Sequence, residues 1–287
     1  MAELTISIVN DCNRELVIEC VKSIYYTKGA LEVEIFVIDN ASADGSADAL
    51  AEAFPEVKLI RNSRKEGFSA NHNKAIRLSS GEFVFILNDD TVILPGALTD
   101  MAAFMREHPE AGAVGAMLLN PDGTPQYTGK ARPTLLAAAM VSLGFHRLFP
   151  ANPITARYYG RKEAYTGPEE VESVNGAAMM VRREVFAKAG ILDDGFFLFC
   201  EDVDWSIRMR EAGFKLYFLP SARIIHYRGA STGGRRIVLI YHKSLFRFYR
   251  KHYAPKNFFL VNWLAYCGIA ARLLLFLVYG GVRKKSA

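Results

Sequence analysis

Two adjacent carboxylates at the end of an apolar strand could hold a metal ion. The stretch from Phe83 to Leu87 is apolar and rich in Phe and Ile, which predicts a strand buried on both faces, and Asn88, Asp89 and Asp90 follow it directly. Neighbouring acids repel each other unless a cation or a donor neutralises them, and carboxylate oxygens suit Mg²⁺ or Mn²⁺ when substrate phosphates complete the coordination. The alternative is a plain turn, since Asn and Asp favour turns.

A second acidic cluster lies at the predicted start of a helix. Glu201, Asp202 and Asp204 follow an apolar run, and capping alone is the simpler explanation because acids in a first turn favour the helix dipole. Three acids exceed what a cap needs, and a carboxylate at a helix N-terminus facing a cleft is well placed to be a general base. His226 closes a later strand. A lone histidine is usually structural, but a nearby divalent site makes it a candidate ligand.

The elements that must position these residues alternate as strand, helix and strand, which is typical of a parallel βαβ sheet. The first strands are predicted at 5–9, 33–39 and 57–60, and the helices between them at 15–26 and 47–54. Ligands bind at the carboxyl ends of such strands, where Asp39, Asn62 and the Asn88 to Asp90 cluster lie. Neither a G-x-G-x-x-G motif nor a P-loop is present, so a metal would have to hold the phosphates.

Further along, the pattern predicts several other elements. Residues 62–73 are expected to form a polar loop before a helix at 74–79, and later strands are expected at 113–118, 171–181, 214–219 and 222–229. Residues 120–166 carry several prolines around an apolar stretch and are interpreted as a lid or acceptor-side insertion.

Composition limits the class of protein. With 287 residues and 51% hydrophobic content the chain can form a substantial core, which excludes disorder. The net charge of +5 is concentrated near the C-terminus without a nucleic-acid motif, so an anionic membrane surface or a phosphate-bearing substrate is the expected partner rather than nucleic acid. The four cysteines lack metal-binding spacing, and no cleavable signal peptide is expected, so a cytoplasmic location follows.

The C-terminal segment has two predicted helices. Basic residues recur with helical spacing over 237–253, which is typical of a helix on an anionic membrane, although a solvated helix face is the default. Residues 258–282 are long enough to span a bilayer, but Arg272 near their middle would cost about 3 kcal/mol. Monotopic attachment at the cytoplasmic face of the inner membrane, or a buried interface, is therefore favoured over a span.

Seven motifs, in order over residues 4–232, resemble family 2 glycosyltransferases of the GT-A fold, in particular the bacterial rhamnosyltransferase-like branch. They are Ser7-Ile8-Val9 with Asn13-Arg14, the run from Val37 to Ser46, Gly67-Phe68-Ser69-Ala70-Asn71-His72-Asn73, Leu87-Asn88-Asp89-Asp90-Thr91, Asn175-Gly176-Ala177, Phe196-Phe197 through Glu201-Asp202-Val203-Asp204-Trp205, and His226-Tyr227-Arg228-Gly229. The resemblance implies an α/β fold with a mostly parallel central sheet, flanking helices and a C-terminal helical segment.

The resemblance also implies a role for each matching position. Asp90 and His226 would bind Mg²⁺ or Mn²⁺, Asp202 would be the catalytic base, and Asp204 is held in reserve. The implied nucleotide-binding residues are Asn13, Asp39, Asn62, Gly67, Asn71 and Asp89. The implied acceptor or sugar contacts are Asn175, Gly176, Glu201 and Trp205. The chain departs from the family's D-x-D motif at Asn88, a weaker ligand, which would leave the metal dependent on Asp90, His226 and the diphosphate itself.

The leading hypothesis is an inverting, metal-dependent glycosyltransferase that moves a sugar from a nucleotide diphosphate sugar to a cell-surface or lipid-linked glycan. By resemblance dTDP-rhamnose is the first donor and UDP-hexoses follow. Residues 1–232 would form the transferase domain, with 1–118 as the nucleotide-binding half and 119–232 as the acceptor half, and 233–287 the C-terminal segment. The alternatives are a non-catalytic nucleotide-sugar-binding scaffold subunit and, less favoured for want of a Gly-rich phosphate loop, a nucleotidyltransferase. A homodimer is left open.

Overall fold

We describe the fold from a computed structural model. The described residues are 2–126, 131, 134, 152, 165, 167–227 and 234–279. Most of the segment interpreted as a lid or acceptor-side insertion lies outside them.

A mixed sheet of nine strands forms the centre of the described chain. The strands are β1 (Leu4–Asn10), β2 (Val33–Asp39), β3 (Lys58–Arg61), β4 (Phe83–Asn88), β5 (Thr91–Ile93), β6 (Ala111–Leu119), β7 (Glu169–Val171), β8 (Ala178–Arg182) and β9 (Lys215–His226). Their order is β3-β2-β1-β4-β8-β6-β9-β5, and β7 also pairs with β9. The first four strands of this order are parallel, and β8 runs antiparallel to both β4 and β6.

Helices cover both faces of the sheet. Those described are α1 (Arg14–Thr27), α2 (Ser46–Ala53), α3 (Phe68–Leu78), α4 (Ala97–Glu107), α5 (Glu184–Ala189), α6 (Glu201–Glu211), α7 (Arg235–His252) and α8 (Phe259–Tyr279). The α/β class with flanking helices and a C-terminal helical segment is thus confirmed.

Strand β4 is buried on both faces, as its unbroken apolar sequence predicts. Phe83, Phe85 and Leu87 pack into one core layer with helices α1 and α4. Val84 and Ile86 point the other way, into a second layer with α3, α5 and α6. Because side chains alternate along a strand, a strand between two apolar layers has no polar face. Its polar residues are confined to its carboxyl end, which is where the candidate site begins.

Three sequence-based expectations about secondary structure are wrong. Helix α3 begins at Phe68 rather than at residue 74, because the polar side chains of Asn71, His72 and Asn73 are buried in the structure instead of exposed in a loop. The strand expected at 171–181 is split into β7 and β8 by a turn. The two strands expected at 214–219 and 222–229 form the single strand β9, which continues through Pro220 with a register shift against β6 and ends at His226.

Helices α7 and α8 pack against each other antiparallel. At one end the Tyr249 hydroxyl donates to Asn262 Oδ1 at 2.7 Å, and at the other the Arg272 guanidinium lies 5.2 Å from the Tyr241 ring. Both strongly polar residues of α8 therefore face α7. One helix among the described residues, Phe259–Val278, is long and apolar enough to cross a membrane, and none of it is buried.

Candidate active site

A cleft of about 700 Å³ opens at the carboxyl ends of β1 and β4. Residues from both predicted acidic clusters line it, together with the end of β9 and the start of α7. The lining residues used below are Asn71, Asn88, Asp89, Asp90, Asn175, Gly176, Phe197, Leu198, Phe199, Glu201, Asp202, His226, Arg236, Ile237 and Ile240. Residues more than a hundred positions apart therefore meet in one place.

Asp90 and His226 form a close pair on one side of the cleft. Strands β5 and β9 are antiparallel with Thr91 opposite His226, which brings the imidazole to the end of β4. His226 Nε2 lies 3.2 Å from Asp90 Oδ1, and that oxygen is buried without a hydrogen-bond partner in the described part of the chain. A buried carboxylate oxygen left without a donor is costly, so a cation or donor is the expected occupant.

Gln126 fixes the tautomer of His226. The Gln126 side-chain amide donates to the His226 backbone oxygen at 2.6 Å, so its Oε1 is the atom that lies 3.0 Å from His226 Nδ1. The Nδ1 atom must then carry a proton, and the Nε2 atom faces Asp90 and Asn88. This arrangement, in which the second ring nitrogen of a metal-binding histidine donates to a neighbour, is usual at metal sites. Gln126 was not predicted from sequence.

The residues at this corner fit a divalent cation in part. Asp90 Oδ1 and His226 Nε2 are two acceptors of the type that metals use, and Asn88 Nδ2 lies 3.3 Å from the same nitrogen. No group of three His, Cys, Asp or Glu side chains suited to a metal is found among the described residues. A cation held here would need further oxygens from a substrate, as the departure at Asn88 led us to expect.

Asp89 is held by donors from the loop after β1. Its Oδ2 accepts from Asn13 Nδ2 at 2.9 Å and from the Asp11 backbone at 3.3 Å. Burial raises the pKa of Asp89 to about 7, against the hydrogen bond from Asn13, and the charge of Asp90 adds to the rise. Asp89 is therefore a fixed part of the cleft lining beside Asp90.

The other predicted nucleotide-binding residues divide into two groups. Asn71 lines the cleft, whereas Asn62 lies behind it and donates to Asn71 Oδ1 at 2.6 Å. Asp39 is buried behind the lining and accepts from Asn10 Nδ2 at 3.0 Å and from the Ser42 backbone at 3.2 Å. In this structure Asp39 and Asn62 organise the loops behind this part of the cleft.

Gly67 is not among the cleft residues, and a packing constraint explains why it is glycine. A Cβ atom at this position would lie 2.8 Å from the backbone of Phe197, and the Phe68 N–H donates to the Phe197 oxygen at 2.7 Å. The start of α3 therefore packs directly on the loop that leads to Asp202. Glycine at position 67 allows this contact between α3 and the loop before Asp202.

Asp202 lines the same cleft, at the start of α6. Its Oδ2 accepts from the Gly176 N–H at 3.1 Å, and its Oδ1 accepts from the Val203 N–H at 2.8 Å. A Cβ atom at Gly176 would lie 3.4 Å from Asp202 Cβ, so glycine allows this close approach. Burial raises the pKa of Asp202. The structure brings Asn175, Gly176 and Asp202 together.

Glu201 also faces the cleft, and it is more deeply buried than Asp202. Only 6% of the residue is exposed, and its Oε2 has no hydrogen-bond partner in the described structure. Burial raises the pKa of Glu201 well above its ordinary value, and the charge of Asp202 adds to the rise. Burial thus favours the protonated form of Glu201, beside the carboxylate of Asp202.

Asp204, the reserve base, lies outside the cleft and is paired with cations. It is fully buried, and its carboxylate contacts Arg208 Nε at 2.8 Å, Lys251 Nζ at 2.7 Å and His252 Nε2 at 2.7 Å. Burial alone would raise its pKa, but the hydrogen bonds from His252 and Lys251 prevail and lower it to about 2. A carboxylate held so strongly in its charged form is a structural anchor, which corrects its assignment as reserve base.

Trp205 is also misassigned as an acceptor contact. It is fully buried in the second core layer, and its indole N–H donates to the Gly190 oxygen at 2.9 Å. An amphipathic side chain in a functional motif suggests sugar stacking, but its position on α6 directs it into the core. No acceptor could reach it in this arrangement.

Comparisons with known proteins agree with this architecture. The sequence profile of Glycosyl transferase family 2 matches residues 6–190. The chain is 29% identical over 213 residues to an N-acetylglucosaminyl-diphospho-decaprenol L-rhamnosyltransferase of Mycobacterium tuberculosis, covering 70% of this chain and 68% of that protein. It is 28% identical over 228 residues to the O-antigen biosynthesis protein RfbC of Myxococcus xanthus, covering 78% of this chain but 17% of that protein.

A solved structure shares the fold. The crystal structure of GalNAc-T7 with UDP, GalNAc and Mn²⁺ aligns with a TM-score of 0.60 at 17% identity, covering 87% of this chain and 50% of that chain. At this identity the likeness concerns the fold alone. The family profile covers more than half of the chain, and the matched residues include β1 to β4 and the Asp89-Asp90 corner. The chain therefore belongs to glycosyl transferase family 2, as a rhamnosyltransferase-like member with the GT-A fold.

Proposed function

We propose that this chain is an inverting, divalent-metal-dependent glycosyltransferase that moves a sugar from a nucleotide diphosphate to a hydroxyl of a lipid-linked or cell-surface glycan. One observation carries the proposal: the Asp90–His226 pair and the Asp202 carboxylate line the same cleft. The two chemical tasks of the reaction are stabilisation of a diphosphate leaving group and removal of a proton from the acceptor. The cleft offers a separate group for each.

Asp90 and His226 would hold Mg²⁺ or Mn²⁺, with oxygens of the donor's diphosphate completing its coordination. Bound there, the cation would neutralise the charge that develops on the leaving group. Gln126 would act behind these ligands, because it holds His226 in the tautomer whose Nε2 atom can bind metal. On the same side, we assign Asn71 and Asp89 to contacts with the nucleotide, with Asn13, Asp39 and Asn62 supporting the loops that present them.

Asp202 would take the proton of the attacking hydroxyl. The Gly176 and Val203 N–H groups fix its orientation, and its raised pKa makes it a better base than an ordinary exposed aspartate. Attack by a hydroxyl activated on the side opposite the leaving diphosphate predicts inversion at the anomeric carbon. Asn175 and Glu201 lie beside Asp202, where they would contact the acceptor or the transferred sugar.

Similarity to the mycobacterial protein supports rhamnose as the first candidate sugar and a lipid-linked acceptor, with UDP-hexoses as the next donors. We further propose that residues 1–232 act as the transferase domain, with donor and acceptor halves meeting near residue 118. In this division residues 233–287 form a tail whose first helix, α7, borders the cleft.

The tail is proposed to attach the protein to the cytoplasmic face of the inner membrane. Arg272 was the sequence-based objection to membrane insertion, but its guanidinium lies against Tyr241 and Phe276, and its Nη1 atom is 3.4 Å from the Tyr241 hydroxyl. The Asn262 side chain likewise accepts a hydrogen bond from Tyr249 of α7 and donates one to the oxygen of Ala254, just after α7. The outer faces of α8 are consequently apolar. The exposed cations of α7 and its following turn suit anionic lipid; they are Arg235, Arg236, Lys243, Arg250 and Lys256.

The test is transfer from a panel of labelled donors, dTDP-rhamnose and UDP-hexoses, with Mn²⁺ or with EDTA, by wild-type protein and by Asp202→Asn. We expect metal-dependent transfer by the wild type. The variant should lose at least about a thousandfold in turnover while its affinity for the donor, measured by calorimetry, changes by less than threefold. Donor binding without any turnover by the wild type would instead favour a non-catalytic scaffold subunit.

A further inference from the structure

Part of the cleft lining is apolar although the substrates of the proposed reaction are polar. The donor side presents Asn71, Asp89 and Asp90. The same cleft is lined by a set of hydrocarbon side chains, here called the apolar wall: Phe197, Leu198, Phe199, Ile237 and Ile240. Phe197 is 39% exposed, and both isoleucines are half-buried. Exposed apolar surface beside a catalytic carboxylate marks a place for an apolar ligand group.

The structure holds the apolar wall in place at some cost in backbone strain. Phe199 and Cys200 are consecutive non-glycine residues in the left-handed region, with φ of 72° and 69°. Such a backbone conformation is unfavourable for residues other than glycine and persists only where its surroundings fix it. Here Ser244 Oγ donates to the Leu198 oxygen at 2.7 Å, and the Phe199 ring packs edge-on against Tyr241 at 5.5 Å. Helix α7 therefore fixes the loop that carries the wall.

Helix α8 lies beside the part of α7 that carries the apolar wall. Because α7 and α8 are antiparallel, the C-terminal half of α8 lies beside the N-terminal half of α7, with His242 6.1 Å from Phe276. Ile237 and Ile240 lie in that half of α7, four residues and one residue before Tyr241. Three apolar residues in the same half of α8 are more than half exposed: Leu274, Leu275 and Val278. The α7 part of the wall and an exposed apolar surface of the helix proposed to enter the membrane therefore lie at the same end of the helix pair.

We propose that the apolar wall is the subsite for the hydrocarbon chain of a lipid-linked acceptor, placed so that the chain runs from α8 past α7 while the acceptor hydroxyl reaches Asp202. The inference rests on the proposed function and adds where the lipid part is recognised. Arg236 borders the cleft at the same end of α7, is exposed, and has no ion-pair partner among the described residues. Its positive charge at the cleft suits an acceptor that carries phosphate.

The experiment compares two acceptors with the same N-acetylglucosaminyl diphosphate head group, one carrying a polyprenyl chain and one a two-carbon alkyl chain, with dTDP-rhamnose as donor and the full-length protein in detergent. The double variant Ile237→Gln, Ile240→Gln removes the α7 part of the wall. We expect its kcat/KM to fall about tenfold or more for the polyprenyl acceptor and to stay within twofold for the short one. Leu239→Gln is the matched control, since Leu239 lies on the same helix, is 40% exposed and does not line the cleft.

Three outcomes would overturn the proposal. They are an equal loss for both acceptors in the double variant, no loss for either, or wild-type protein that uses both acceptors equally well. The last result would leave the proposed function standing, whereas transfer to neither acceptor from any donor of the panel would overturn the proposed function as well. A polyprenyl diphosphate bearing a photoreactive diazirine gives a readout independent of turnover. Its crosslinks, mapped by mass spectrometry, should fall on the apolar wall, and crosslinks confined to other surfaces would contradict the assignment.

Discussion

Replacing Asp204 with asparagine should destabilise the protein without removing its catalytic group. The carboxylate is fully buried and touches two cationic groups, from Arg208 and Lys251, and the His252 ring, on α6 and α7. Removing one member of such a buried cluster leaves the others desolvated and costs about 3–5 kcal/mol, and the lower end applies because Lys251 and Arg208 are partly exposed. For 287 residues an unfolding entropy of about 0.6 kcal/mol/K converts about 3 kcal/mol into a fall in Tm of about 5 °C.

The assay is thermal unfolding followed by circular dichroism, together with donor turnover measured well below the lowered Tm, where we expect Asp204→Asn to stay within about threefold of wild type. Asp48→Asn is the matched control, because Asp48 pairs with Arg61 at 2.7 Å but its side chain is 81% exposed. The control should change stability by less than about 0.5 kcal/mol. Asp202→Asn should show the opposite pattern, lost turnover with no fall in Tm. Loss of turnover in Asp204→Asn at unchanged Tm would refute our reasoning and make Asp204 the base.

Three further predictions concern the metal corner, the second acid and the tail. Gln126→Leu frees the His226 tautomer, so Mn²⁺ affinity in the presence of nucleotide, measured by electron paramagnetic resonance, should fall about 10- to 100-fold, and an unchanged affinity would remove Gln126 from the site. Burial raises the pKa of Glu201 above 4.5, so the folded protein binds more protons there than the unfolded chain and loses stability as pH rises from 4.5 through the folded pKa. In urea unfolding, Glu201→Gln should therefore be more stable than the wild type at pH 8 but not at pH 4. A stability advantage of the variant that grows as the pH falls would contradict this. Leu264→Glu with Leu275→Glu should reduce co-sedimentation of the full-length protein with anionic vesicles by tenfold or more; equal sedimentation would exclude α8 as the lipid-contacting helix.

Local patterns in the sequence predict the parallel half of the fold well. Strands β1, β2 and β4 are largely apolar and end in polar residues, and β1, β2 and β3 are each followed by turn residues and a helix. Helix α3 was predicted to begin too late because Asn71, His72 and Asn73 are polar residues that the fold buries. His72 Nδ1 lies 2.7 Å from Ser7 Oγ, a partner 65 positions away that no local pattern reveals.

The residues of the candidate site could be predicted only where the type of residue indicates its chemical role. Asp90, His226 and Asp202 are of that kind. Asp204 and Trp205 belong to the same motif, but rotation along α6 directs them away from the cleft, and only their buried partners on α7 and at Gly190 distinguish them from Asp202. Gln126 acts through a contact across 100 positions. The apolar wall was not predicted, because the sequence pattern assigns Ile237 and Ile240 only to one face of an amphipathic helix.

The anomeric configuration of the transferred sugar is the most direct test of the central claim, that one cleft joins a cation-assisted leaving group to a hydroxyl activated by Asp202. Proton NMR of the product formed from a donor of known configuration gives this result in a single experiment. Our account predicts the configuration opposite to that of the donor, formed only with a divalent cation present and not formed by Asp202→Asn. A product that retains the donor's configuration would contradict direct attack by that hydroxyl and require a different role for Asp202.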